Sequence, residues 1–358
     1  VAVRSKSAGA GIQDVARIAK VSTSTVSRVL SGAAGSAAIS EATANRVRTV
    51  AETLRYRPNP AARNLRTNKT RTVGVIVRDL LQPFSAEFLR AIYAACDDRG
   101  YQVLIANAEN NLDAGWALGN ILHPDLVDGI LLVGDVVPAA VGPLEMKAFI
   151  EEHGHVTTVG CRPVLAGEVS ICVNNEAGVT QALQHLYDRG HRDIAFIGAR
   201  ALPGKWEDLL RWDAYRRFMD QHDLSWERQY MGTLWDSLLS SAEEIIREMV
   251  LAPVRPTAAF VTYDLAALVM LKAAQRLNIR IPDDLSLVAF DDIPFAALST
   301  PGLTTVRQPI DAMGRYAANV LLDRILGVEH ATPTPDDSGS VIFQPVLIER
   351  DTVFDLTA

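Results

Sequence analysis

Residues 12–32, IQDVARIAKVSTSTVSRVLSG, decide how the chain begins. Val15, Ala16, Ile18 and Ala19 put apolar groups on one side of a short helix, and Lys20-Val21 breaks that pattern before a second helix starts. Ser22 is a good N-cap for the second helix, with Val26, Val29 and Leu30 at helical spacing on its inner face. Thr23, Ser24, Ser27 and Arg28 are then left pointing outward. Such a face suits a major groove. Arg28 can donate a bidentate pair to a guanine edge, Thr23 and Ser24 can reach base edges, and Ser22, Thr25 and Ser27 can reach phosphates.

Moving outward, Ser40 caps a third helix over 41–54 that buries Val47, Val50, Ala51 and Leu54, which completes a minimal three-helix core. The charge distribution fits a nucleic-acid partner. Residues 1–71 carry thirteen Lys/Arg against three Asp/Glu, about +10, and the total of −7 leaves about −17 for the remainder. A basic run alone is equally well a solvated tail; the helical pattern inside it favours binding.

The segments 12–32 and 39–67, the latter ISEATANRVRTVAETLRYRPNPAARNLRT, resemble the DNA-binding head and hinge of the lactose-repressor/galactose-repressor family. The resemblance implies base reading by Thr23, Ser24 and Arg28. It also implies a short hinge helix over 58–65 that forms on operator DNA, with Asn59, Ala62, Arg63 and Arg66 at hinge positions. Leu65 matches the leucine that a dimer wedges into the minor groove, where bent DNA meeting more protein offsets the cost of unstacking. Two features depart from the family pattern. Gly11 stands where the first helix usually has a threonine cap, and the loop SGAAGSAAIS is two or three residues longer than usual.

Beyond residue 71 the pattern changes. Apolar runs such as TVGVIV, QVLIANA, VDGILLVG, VTTVG, DIAFIG, AAFVTY and LSLVAFDD alternate with amphipathic stretches over 86–99, 178–189, 211–222, 241–251 and 264–278. Continuous apolar runs mean strands covered on both faces, hence parallel sheets with helical crossovers. Some 280 residues of this exceed one core and should form two sheets.

Family landmarks continue through VNNEAGVTQALQHLYDRGHRDIAFIG, RWDAYRRF, IPDDLSLVAFDDIPFAALSTPGLTTVRQP and PVLIERDT. The implied architecture is a small all-α helix-turn-helix head plus an α/β periplasmic-binding-protein-like effector domain of two doubly wound parallel-sheet subdomains. The expected boundaries are a disordered arm at 1–11, the head at 12–56 and a hinge at 57–71. A first subdomain would take 72–168 and 304–330, and a second 169–303 and 331–358. The resemblance places Phe84 against the effector, Arg211 as its clamp, Asp291 as an acceptor and Trp235 near a stacking position. An aromatic plate with one arginine and one carboxylate suits a polyol, whose hydroxyls donate and accept while its C–H faces pack on rings. The alternatives are Phe84 and Trp235 as core residues, and Arg211 with Asp291 as a structural pair across the cleft. Tyr263 stands where the family commonly has an asparagine or serine. Asp264 reads as a cap of the following helix, and Gly190 as a helix C-cap.

No run of about 20 apolar residues and no cleavable leader pattern occur, so no membrane role and a cytoplasmic, nucleoid-associated setting are expected. Cys96, Cys161 and Cys172 suit buried thiols. The histidines show no metal-ligand spacing, no Ser/His/Asp or Cys/His set can be assembled, and no phosphate-binding glycine loop follows a strand. The expectation is therefore a regulator, not an enzyme, with no cofactor. It would bind double-stranded operator DNA as a homodimer and respond to a small-molecule effector, in class a carbohydrate. Its rivals are a corepressor-dependent regulator and a solute receptor that does not regulate through DNA.

Overall fold

The computed structural model describes residues 10–31, 39–56, 69–109, 111–134, 136–138, 140–160, 169–198, 206–226, 229–231, 238–328 and 340–357. The chain divides into two units, Val1–Thr70 and Arg71–Ala358.

In the first unit α1 (Ile12–Ala19), α2 (Thr23–Ser31) and α3 (Glu41–Thr53) enclose a core of Val15, Ala16, Ala19, Val26, Val29, Val47 and Ala51. Ile18, expected inside, is 46% exposed. At 100° per residue it lies well to one side of the arc shared by Val15, Ala16 and Ala19. Gly11 caps α1 through its backbone, its N–H donating to Asp14 Oδ2 over 3.0 Å, so the missing threonine is compensated at the N3 position. Lys20 ends α1 in the left-handed conformation, and Arg46 Nε donates to the Ala19 carbonyl, tying α3 to that corner. Ser40 Oγ accepts from the Thr43 N–H, as a cap should.

The second unit begins with β1 (Thr72–Val77), α4 (Pro83–Asp98), β2 (Gln102–Asn107), α5 (Leu112–Ile121), β3 (Gly129–Val133), α6 (Pro143–His153), β4 (Val156–Val159) and β5 (Ser170–Val173). It continues with α7 (Asn175–Asp188), β6 (Ile194–Gly198), α8 (Trp206–Gln221), β7 (Gln229–Met231), α9 (Leu238–Leu251), β8 (Ala258–Val261), α10 (Asp264–Arg276), β9 (Ser286–Asp291), α11 (Pro294–Leu298) and β10 (Thr304–Arg307). The chain then returns through α12 (Ile310–Leu326) and β11 (Ser340–Phe343) before ending near β12 (Val346–Ile348).

Among the described residues two six-stranded sheets result, ordered β11-β5-β4-β3-β1-β2 and β12-β10-β9-β8-β6-β7. Every pairing among the described residues is parallel except β10 with β12, a departure from the all-parallel expectation. Their inner strands are buried throughout, as β3, β8 and β9 show, and each fully buried large aliphatic side chain contributes roughly 1.5–3 kcal/mol.

The expected subdomain limits need correcting. β5 pairs with β4 and β11 in the first sheet, and β10 pairs with β9 in the second. The three crossovers therefore fall at 173–175, 307–310 and 343–346 rather than at 168/169, 303/304 and 330/331. The reason is backbone pairing: these strands extend one sheet before the chain turns toward the other. After crossing, α12 returns to pack on α4, a close approach permitted by Gly314, where a Cβ would stand 2.8 Å from Ala91 Cβ and 3.2 Å from the Phe88 carbonyl.

Candidate DNA-binding surface and effector cleft

On the head, Ser22, Thr23, Ser24 and Arg28 are exposed, while Thr25 and Ser27 are half-buried. The burial of Val26 and Val29 at the intervening helical positions aims them outward. Ser22 Oγ accepts from the Thr25 N–H at 3.2 Å and lies 2.9 Å from both Ser24 Oγ and Thr25 Oγ1. Ser22 is thus a cap first, and the hydroxyl cluster is preorganised at the start of α2. The hinge candidates Asn59, Ala62, Arg63, Leu65 and Arg66 lie outside the described residues, as does Trp235.

In the second unit a cavity of about 170 Å³ opens at the carboxyl ends of strands from both sheets. Arg78, just past β1, lines it with Val133, Val159 and Val173 at the ends of β3, β4 and β5, and Tyr263, Asp291 and Gln308 reach it from the second sheet. This is where open α/β sheets place ligands. Phe84, in the first turn of α4, forms one wall, its ring 5.0 Å from that of Phe88. Of the sequence candidates, Phe84, Arg211, Tyr263 and Asp291 all line this one cavity.

Its floor is a buried polar network. Arg211 is 5% exposed; its Nε donates to Asn175 Oδ1 over 2.8 Å, its Nη1 donates to the Thr262 carbonyl, and its guanidinium lies 3.9 Å above the Phe290 ring. Arg211 Nη2 stands 3.9 Å from Asp291 Oδ1, so the two pair within one subdomain and not across the cleft, because both lie on elements that pack on the second sheet. Gln308 Nε2 donates to Asp291 Oδ1 over 2.7 Å. Asp291 has φ 127°, a backbone angle that costs a non-glycine residue of order 1–3 kcal/mol and is held here by the surrounding network. Burial pushes its carboxyl up to about 7, with Arg211 and Gln308 opposing and Asp208 and Glu207 adding to the rise. Burial, reinforced by Asp208 and Asp291, likewise raises the Tyr263 phenol.

Asp264 does not cap α10. Its Oδ1 accepts from Thr305 Oγ1 over 2.5 Å and its Oδ2 from the Ile293 N–H over 2.8 Å, so it pins the loop after β9 and strand β10 beneath the cleft. Burial, then the Asp291 charge, lift it well above the ordinary carboxylate range. Gly190 follows α7 with φ 85°, consistent with a helix end. Asn175, Gln82, Glu207, Asp208 and Gln308 are cavity or network residues that the sequence did not single out. Asn175 donates through Nδ2 to Glu207, holding an acid and a base side by side. The available hint was NN at the start of a helix after a strand, and it did not reveal partners 32 and 36 residues away.

Among the described residues no group of three or more His, Cys, Asp and Glu could hold a metal ion, and no helix is long and apolar enough to cross a membrane. Cys96 is buried and Cys172 half-buried, both as free thiols, while Cys161 lies outside the described residues.

A helix-turn-helix unit followed by two doubly wound sheets with a cleft between them defines a DNA-binding regulator carrying a periplasmic-binding-protein-like domain. Comparison with known proteins agrees. Residues 11–59 match the model of the bacterial regulatory proteins, lacI family, and residues 183–353 that of the periplasmic binding protein-like domain. The HTH-type transcriptional repressor PurR of Escherichia coli O139:H28 is 31% identical over 352 residues, 97% of each chain. The lac repressor dimer bound to operator and the anti-inducer ONPF superposes with a TM-score of 0.79 at 22% identity, covering 96% of this chain and 99% of that one. A complex of the transcriptional regulator CelR with cellobiose gives 0.65 at 26% identity, with 96% and 99% covered. The chain belongs to the lacI family of bacterial regulatory proteins, whose members are DNA-binding transcriptional repressors and not enzymes.

Proposed function

We propose that this chain is a ligand-responsive repressor that binds a pseudo-palindromic operator as a homodimer and answers to a sugar or related small metabolite. The observation that carries the ligand half is the cleft: an aromatic wall from Phe84 faces a buried Arg211–Asp291 floor at the strand ends of both sheets. That combination suits a hydroxyl-bearing ligand, and the cellobiose of CelR supports the class. The DNA half rests on Thr23, Ser24 and Arg28 as base contacts, with Ser22, Thr25 and Ser27 at phosphates and Asn59, Ala62, Arg63, Leu65 and Arg66 at the minor groove.

Dimerisation is supported by exposed apolar side chains at and near an edge strand. β2 is an edge strand whose Leu104 and Ile105 are 42% and 45% exposed, and Tyr93 of α4 is 57% exposed. Exposed apolar edges call for cover, and one two-fold interface per pair gives one recognition helix per half-site. Effector binding would bias the two subdomains toward one of two arrangements and so shift operator affinity.

The test is selection of duplexes from a random pool by the full chain, followed by titration of sugars, sugar phosphates and nucleosides against the selected duplex. A palindromic consensus and a sugar-dependent change in affinity are expected, and the sign of that change separates inducer from corepressor. A consensus without two-fold symmetry refutes the dimer. A response confined to other classes refutes the sugar.

A further inference from the structure

We propose that residues 349–357 form a strap across the amino ends of the second sheet, fastened by His185 and His191 in their neutral forms and let go when the two rings take up protons.

The strap follows β12 and is laid down by bonds to several separate stretches of the chain. Asp351 donates its N–H to the Gly302 carbonyl over 2.8 Å. Thr352 Oγ1 accepts from the Thr304 N–H over 2.9 Å and donates to the Leu287 carbonyl over 2.7 Å. The Phe354 N–H donates to Ser286 Oγ, and the Leu356 N–H to the Arg189 carbonyl, each over 2.9 Å. Ser286 opens β9 and Arg189 follows α7, so the segment runs over the end of the sheet remote from the cleft. It lies flush on the turn after α7: at Gly190, with φ 85°, a Cβ would stand 3.1 Å from both Leu356 Cβ and Thr357 Cγ2.

Two buried histidines close the fastening, His185 in α7 at 7% exposure and His191 at 1%. Arg189 Nη1 lies 2.9 Å from His185 Nδ1, and a guanidinium only donates, so that ring nitrogen accepts and carries no proton. Through Nη2 the same arginine donates to Glu349 Oε2 over 2.9 Å, which ties the start of the strap to α7. A proton on Nδ1 would evict Arg189 from its acceptor and set two cations in contact. Glu349 stands 3.7 Å from that nitrogen, but at 60% exposure its counter-charge is screened by solvent. His191 Nε2 donates to the Phe354 carbonyl over 3.0 Å. Its Nδ1 is left to accept from the Thr257 hydroxyl at 3.0 Å, nearer than the Asp193 carbonyl at 3.4 Å from that hydroxyl. Between these clasps Arg350 Nη2 donates to Asp292 Oδ1 over 2.6 Å, so the strap also touches the residue beside Asp291 of the cleft floor.

The charges that face the two rings come from α7, the turn after it and the strap. Burial holds His185 below the usual histidine range, with Arg189 and His191 adding and with Glu349 and Asp188 opposing. Burial does the same at His191, against the Phe354 carbonyl and Asp355 and together with Arg189 and Arg192. Asp355 is itself held low by its bonds to Thr357, so it stays ionised while the histidines titrate. A released strap exposes both rings and returns them to about 6.5. Below that value the released form binds more protons than the fastened one. The strap is therefore fully held above about pH 6.5 and is lost progressively as pH falls further.

Amide hydrogen exchange of the full chain between about pH 7.5 and pH 5, each rate divided by the intrinsic rate at that pH, is the test. Protection of 351–357 should fall about tenfold or more over this range, while that of β8 and β9 changes by less than about twofold. His185→Gln combined with His191→Gln keeps an acceptor for Arg189 and a donor for the Phe354 carbonyl but cannot titrate, and should flatten the fall. Thermal melts establish whether that variant is folded; if it is not, the profile of the unaltered chain decides alone. Protection of 351–357 that does not change with pH, a fall shared equally by β8 and β9, or the same fall in the folded variant overturns the proposal.

Discussion

Replacing Asp291 with asparagine probes the electrostatic cost stored under the cleft. Burial lifts this carboxyl from an ordinary 3.8 to about 7. The folded chain therefore keeps the proton until about pH 7, whereas the unfolded chain releases it near pH 4. Within that window the native state binds more protons than the unfolded state. Stability accordingly falls as pH rises from about 4 to about 7 and levels off above. About three pH units at roughly 1.4 kcal/mol each set the cost at up to about 4 kcal/mol by pH 8. Asparagine keeps an oxygen to accept from Gln308 Nε2 and has no charge to suppress. It also removes the like charge that raises Asp264, so the gain belongs to the pair. Denaturant unfolding of the full chain, followed by circular dichroism between about pH 5 and pH 8, should give a stability curve flatter than wild type by roughly 3 kcal/mol. Parallel curves for the two proteins would refute a strained, proton-holding floor.

Arg28→Ala should cost about 1–3 kcal/mol on the selected operator and relax preference at one base pair, and an unchanged consensus in the selection would remove it from the base-reading set. Val26, fully buried among α1–α3, should cost about 1–3 kcal/mol when cut to alanine; the loss is expected in a head transition, with ligand affinity of the second unit retained. Gly314→Ala forces a methyl onto Ala91 and the Phe88 backbone, and about 1–3 kcal/mol of destabilisation in thermal melts is expected. A neutral result there would mean that α4 and α12 separate easily. Leu65→Ala should reduce operator bending in a gel-shift phasing assay while leaving effector affinity intact; equal bending by both proteins counts against the wedge.

Much of this was legible from residues alone. The helix-turn-helix was readable because Val15, Ala19, Val26, Val29 and Val47 repeat at helical spacing and are all buried, and because side chains excluded from so small a core can only face solvent. The long apolar runs marked β1, β3, β6, β8 and β9 for the same kind of reason. The short strands were less visible. β5, β10 and β11 have four residues each and contain Ser170, Thr304, Thr305 and Ser340, all buried. Those polar residues carry no periodic signal, and their burial is imposed by the neighbouring strand. That is why the subdomain limits shift.

The sequence by itself determined the two kinds of unit and the outward face of α2, since local periodicity suffices for these, while Phe84, Arg211 and Asp291 entered as ligand candidates only through the resemblance of their surrounding motifs to the family. Tertiary structure alone decided that Arg211 spends its donors on Asn175 and Thr262, that Asp264 anchors a loop instead of capping a helix, and that Glu207 and Gln82 face the same cavity. Such contacts join residues far apart in the chain, and their energetics depend on shared burial and on the charges crowded around them, which no local stretch encodes.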